Sequence, residues 1–206
     1  MSNTLDNSLA QSMETLVDVQ TQIKSAVSAA SKLLAHSFSQ GGRLCLAGAT
    51  EDSACMAVML HQLLRSKREL RPPLPAHLSP LHTGETGQTT LNALSNSLEE
   101  LRILNKPGDS MIIALSDVAA GSDSIAMIDQ FSLREGISTV TLFCLSRREQ
   151  LQAFIERSTH SNGHAVVPWF VSSIARKPLA TLFILNCLSD MIEKELFGAA
   201  IDSPEI

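Results

Sequence analysis

The chain has 206 residues, 44% of them apolar and 18% charged, enough for one domain with a real core. Its net charge of −5 argues against a nucleic-acid surface, because phosphate binding needs clustered Lys and Arg. No apolar run reaches the roughly 20 residues needed to cross a bilayer, and the polar start from Met1 to Glu14 does not read as a signal peptide, so a cytoplasmic protein without membrane contact is expected. Cys45, Cys55, Cys144 and Cys187 are far apart in apolar segments, as buried reduced thiols are.

Apolar residues at Leu5, Leu9, Met13, Leu16 and Val19 keep a helical period over Leu5–Gln22. A second stretch, Ile23–Phe38, runs to a stop at Gly41-Gly42, and the two are read as an N-terminal helical hairpin over 1–40. Arg43–Gly48 reads as a buried strand and Asp52–Leu64 as a helix. Arg71-Pro-Pro-Leu-Pro75 is a rigid connector to a weak strand at Ala76–Leu78. The polar Gly/Thr-rich stretch His82–Thr90 is a loop. Helix Leu91–Leu104, a turn at Lys106–Asp109 and strand Ser110–Leu115 follow. Next come a loop Ser116–Asp123, helix Ser124–Glu135 ended by Gly136, strand Ser138–Leu145 and helix Arg147–Ser158. A loop His160–Gly163, a short strand Ala165–Val167 and a long helix Pro178–Phe197 close the chain, Pro178 standing in a first turn where a missing N–H costs little. Strands that alternate with helices and are apolar throughout indicate an α/β fold whose parallel sheet is covered on both faces. No linker divides the chain, so residues 41–200 form the α/β core of a single domain.

Ligands of such sheets bind at the carboxyl ends of the strands, where strand order reverses, which points to the loops after Gly48 and Leu115. Leu44-Cys-Leu-Ala-Gly48, a helix, and then Arg71-Pro72-x-x-Pro75-Ala76 resemble the phosphoheptose isomerases of the SIS (sugar-isomerase) family. Gly108-Asp109 before an apolar strand is similar to the same family, and Asn186–Ile192 with Leu196-Phe197 is similar to the close of its DnaA initiator-associating members. The resemblance spans about Val27 to Phe197. It implies a three-layer αβα sandwich with a five-stranded parallel, flavodoxin-like sheet and a homotetramer.

The resemblance also implies two hydroxyl-rich loops at helix N-termini, where free N–H groups and the helix dipole favour a phosphate. Here the first is Thr50-Glu51-Asp52-Ser53, and the second carries Ser116, Asp117, Ser122 and Ser124, with Asp123. A carboxylate about 4 Å from a phosphate repels it by roughly 1–4 kcal/mol. Glu51 and Asp52 are therefore expected as first-turn residues and N-caps that stabilise a helix dipole. The family's proton-transfer and metal-ligand positions fall on Val58, Gln62, Pro178 and Thr181, none of which is a base; His61 is one residue from Gln62. No catalytic residue, metal or cofactor is expected.

Other candidates carry structural expectations. His160 and His164 read as an exposed pair, His77 and His82 as solvated residues at the crevice mouth, Arg65–Arg71 as the basic end of a helix, and Trp169-Phe170 as a loop plug or partner anchor. The leading functional expectation is a catalytically degenerate SIS scaffold that gathers the replication initiator through Leu196 and Phe197. The alternatives are a sedoheptulose 7-phosphate isomerase, or a sensor of a neutral or cationic sugar derivative held by Glu51, Asp52, Asp117 and Asp123, which would favour amino sugars over sugar phosphates.

Overall fold

The computed structural model describes residues 2–65, 72–82, 90–115, 121–151, 154 and 163–198. Helix α1 (Ser2–Ser39) leads to β1 (Leu44–Gly48), α2 (Thr50–Leu64), β2 (Ala76–Pro80), α3 (Leu91–Leu104) and β3 (Ser110–Leu115). Then come α4 (Gly121–Glu135), β4 (Ser138–Cys144), β5 (His164–Trp169), a 3₁₀ turn (Ile174–Arg176) and α5 (Lys177–Phe197). The five strands are all parallel, in the order β2-β1-β3-β4-β5. The three-layer flavodoxin-like architecture expected from the sequence is therefore present.

The sheet divides the core in two because successive strand residues point to opposite faces. Leu44 and Leu46 pack with α1, α2 and α5, while Cys45 and Ala47 pack with α3 and α4. Every residue of β1, β3 and β5 is buried, which is why these segments read as unbroken apolar runs.

One expectation about the fold is overturned: the N-terminal hairpin is a single helix. Nothing between Ser2 and Ser39 supplies a Gly or Pro to break it, so the polar stretch Gln20–Gln22 is carried within one continuous helix. It stops where the sequence indicates, with Gly41 at φ 79°. Two strands run longer than expected, β2 to Pro80 and β5 from His164 to Trp169. Trp169 consequently ends a strand, 1% exposed, rather than plugging a loop. The backbone of neighbouring Phe170 is held on both sides by Gln22, which donates to its carbonyl (3.3 Å) and accepts from its N–H (2.8 Å). Of the helix expected over Arg147–Ser158, residues 149–151 and 154 are helical and the rest lies outside the described residues, as does the basic run beyond Arg65. Among the described residues no helix is long and apolar enough to cross a membrane. No disulfide joins the four cysteines, Cys45 and Cys55 being buried and Cys144 and Cys187 half-buried. Burial first, offset in part by an Asn105 hydrogen bond, pushes the Cys45 thiol up to about 11, so it stays protonated and inert.

Candidate functional site

The order β2-β1-β3 sends the chain off β1 and β3 to opposite faces of the sheet, α2 on one and α4 on the other. That divergence opens the crevice at Gly48 and Leu115. Gly48 is needed there for close approach: a Cβ would come within 3.0 Å of the Asp52 backbone carbon and 3.1 Å of the Ser53 nitrogen. Strand β1 therefore runs directly into the first turn of α2.

The residues of the first loop are brought together, with one correction. Thr50 and Glu51 open α2, but the N-cap is Ala49, whose side chain caps nothing. Asp52, expected as a cap, is the third helical residue and is 6% exposed. Its N–H bonds to the Ala49 carbonyl (3.0 Å), so a buried carboxylate occupies the turn whose dipole favours an anion. Ser53 beside it is half-buried. On the other side, α4 begins at Gly121, so Ser122 and Asp123 stand in its first turn rather than in a loop, both exposed. Ser124 is fully buried and its Oγ has no hydrogen-bond partner. Ser116 and Asp117 lie outside the described residues.

The four positions that the resemblance ties to proton transfer lie on α2 and α5, which run side by side in the same direction. Cys55 Sγ sits 3.5 Å from the Pro178 carbonyl oxygen, and Gln62 Nε2 donates to Asn186 Oδ1 at 2.7 Å. Gln62 is thus engaged by a neighbouring amide. Val58 is 43% exposed, and Thr181 is 1% exposed with its hydroxyl unpartnered. His61, beside Gln62, is exposed on α2. Among the described residues no three His, Cys, Asp or Glu side chains cluster as a metal would need.

The remaining histidines have other work. His164, expected as exposed, is the first residue of β5 and 5% exposed. Its Nε2 lies 2.9 Å from Thr141 Oγ1 and its Nδ1 3.2 Å from Asp129 Oδ1, tying α4 to β4 and β5. His160 lies outside the described residues. His77 is half-buried near the start of β2, at the far end of the sheet from the crevice, and burial with nearby Arg43 lowers its pKa. His82 is exposed and pairs with Glu100 at 2.9 Å. Of the two residues expected to bind a partner, Leu196 packs against the core and Phe197 is 40% exposed.

No protein-family profile matches this sequence, and no curated protein matches it by sequence. Solved structures do match. A phosphoheptose isomerase from Francisella tularensis superposes with a TM-score of 0.65 at 17% identity, over 93% of this chain and 97% of its own. A phosphoheptose isomerase from Neisseria gonorrhoeae gives 0.64 at 12%, over 94% and 98%. The sugar isomerase domain of an RpiR transcription factor from Sphaerobacter thermophilus gives 0.54 at 16%, over 90% and 87%. The chain therefore has the fold of these sugar isomerases over at least 90% of its length.

Proposed function

We propose that this chain is a SIS domain that recognises a sugar derivative in the β1/β3 crevice without isomerising it. The observation that carries the reading is the crevice's first turn. It keeps the close glycine and the helix N-terminus of a phosphate cradle but buries the Asp52 carboxylate there. A carboxylate at that place disfavours a phosphate and favours an amine or hydroxyls. The α2/α5 contact supports the absence of chemistry. Moving a proton between adjacent sugar carbons needs a base within hydrogen-bond reach, and Val58, Gln62, Pro178 and Thr181 supply none.

Titration calorimetry with an amino sugar and with the corresponding sugar phosphate tests this. Binding of the amino sugar is expected at least about tenfold more tightly, the minimum given by about 1.4 kcal/mol of charge preference. Asp52→Asn is expected to reverse that order. Equal affinity for both, unchanged by the substitution, overturns the reading. Conversion of sedoheptulose 7-phosphate, followed by NMR, would restore the isomerase alternative.

A second reading keeps the same fold as a homotetrameric scaffold that gathers the replication initiator through its last helix. The exposed Phe197 ring at the end of α5 favours it, since several copies of a weak contact add through effective concentration. Leu196 is a poor probe because its loss would open the core. Capture of the initiator by the intact protein, lost in Phe197→Ala, is the expected result. Equal capture by both proteins would remove Phe197 from the contact, and no capture by the intact protein would remove the initiator.

A further inference from the structure

Helix α1 is held to the domain in two ways. Its lower half is buried in the core through Ile23, Val27, Ala30 and Leu34. In its upper half no residue from Asp6 to Asp18 is buried. That half is tied down by polar contacts instead. Gln11 Oε1 accepts from Arg176 Nη2 (2.7 Å), and Asp18 Oδ1 pairs with Arg148 Nη2 (2.8 Å). Gln22 then holds the Phe170 backbone from both sides. At roughly 100° per residue, positions 11, 18 and 22 lie within about 40° of one another, so the ties form one stripe. Arg176 is out of character for its place. It is the N-cap of α5, where Ser, Thr, Asp or Asn is favoured, and its side chain caps nothing. A cation there also opposes the helix dipole. Its guanidinium engages Gln11. Two residues on, the Pro178 carbonyl lies 3.5 Å from Cys55 Sγ, on α2 one turn past Asp52. Cys55 is 7% exposed.

We propose that the polar stripe of α1 is a strap: through Arg176 it seats the first turn of α5 on α2 and closes the seam between the two helices beside the crevice. The buried residues of α5 begin at Ala180, while Lys177, Pro178 and Leu179 are only half-buried. The first turn can therefore lift without opening the core, with the 3₁₀ turn Ile174–Arg176 as its hinge. Loss of one hydrogen bond to a charged group shifts such a local opening by about tenfold. The strap is independent of what the crevice binds.

Cys55 reports on the seam. Labelling of the full chain with N-ethylmaleimide under native conditions, followed site by site in a mass spectrometer, gives its rate. In Arg176→Ala, Cys55 is expected to react about tenfold faster than in the unaltered chain. Gln11→Ala is expected to match it, and the double variant to go no further, since both remove the same tie. Cys187, about two and a half turns along α5 from Pro178, and buried Cys45 are expected to keep their native rates. Arg176→Ser supplies a favoured N-cap while removing the tie, so it is expected to label as fast as Arg176→Ala. A native rate at Cys55 in Arg176→Ala or in Gln11→Ala overturns the strap. So does a native rate in Arg176→Ser, which would trace the opening to fraying of α5. A rise shared equally by Cys45 and Cys187 would be global unfolding and overturns it as well.

Discussion

Gly42→Ala is expected to cost on the order of 3 kcal/mol of stability, combining overpacking with a lost hydrogen bond. In urea the midpoint should fall by about 1–3 M with an unchanged slope. Gly42 is buried at the junction of α1, β1 and β3, and its N–H bonds to the Ser37 carbonyl (2.9 Å). A Cβ there would drive into the Gly108 carbonyl oxygen and come within 2.5 Å of Ser37 Oγ. Neither can retreat cheaply. The Gly108 oxygen is backbone, and Ser37 Oγ donates to that same oxygen at 2.7 Å, so turning the hydroxyl away removes its bond. Gly41→Ala next door is the control. Its Cβ meets nothing within 4 Å, so only the left-handed backbone at φ 79° is strained, at a cost of about 1 kcal/mol. Equal losses at the two positions would show that backbone conformation, and not the close packing of three elements, sets the value of Gly42.

The contrast between these neighbours also shows what a sequence conveys. A Gly-Gly pair after an apolar-periodic run announces a helix stop, and α1 does stop there. That the second glycine is needed for an approach to Gly108, 66 residues later, is a tertiary fact with no local signature. The strands were legible for the same reason the helix stop was. Leu44–Gly48, Ser110–Leu115 and Ser138–Cys144 are apolar runs bounded by Gly, Pro or polar turns, and burial on both faces makes them so. The hairpin expectation fails because no Gly or Pro stands between Leu5–Gln22 and Ile23–Phe38, so the two helical stretches run on as one helix. His164 was misplaced because its neighbours in sequence are polar, while the partners that bury it, Asp129 and Thr141, are 35 and 23 residues away. At the crevice, strand ends and the acidic first turn were readable from Gly48 to Asp52. The N-cap was not, because a cap depends on where the helix turns begin, and α2 begins at Thr50, two residues earlier than the expected Asp52.

Removal of the Asp109 carboxylate is the other change expected to be severe, and it bears on the crevice from the opposite end of the sheet. Its side chain is fully enclosed, and Oδ1 accepts the Arg43 N–H at 2.9 Å. Oδ2 accepts the Lys106 N–H at 3.0 Å and the Arg43 guanidinium at 3.2 Å. The chain entering β1 and the turn entering β3 are thus fastened to one carboxylate. Above it the two strands stay paired up to Gly48 and Ala114, where α2 and α4 part and the crevice opens. Asp109→Ala leaves two backbone donors without their acceptor and is expected to cost about 3 kcal/mol. Asp109→Asn keeps the shape but can accept through only one atom, so it is expected to lose part of that amount rather than none. Burial by itself would raise the Asp109 pKa; the N–H groups of Arg43 and Lys106, and then the guanidinium, outweigh it and hold the carboxyl below its ordinary range. A carboxyl whose folded pKa is depressed adds stability that is complete above its unfolded pKa, near 3.9, and is lost as pH falls through the folded value. The native protein should therefore lose stability steeply below about pH 4, and Asp109→Asn should flatten that limb while lowering the plateau at neutral pH. Urea midpoints measured from pH 7 down to pH 3 separate the two effects. A lowered plateau with an unaltered acid limb would assign the acid sensitivity to other carboxylates and leave Asp109 a purely geometric fastening between β1 and β3.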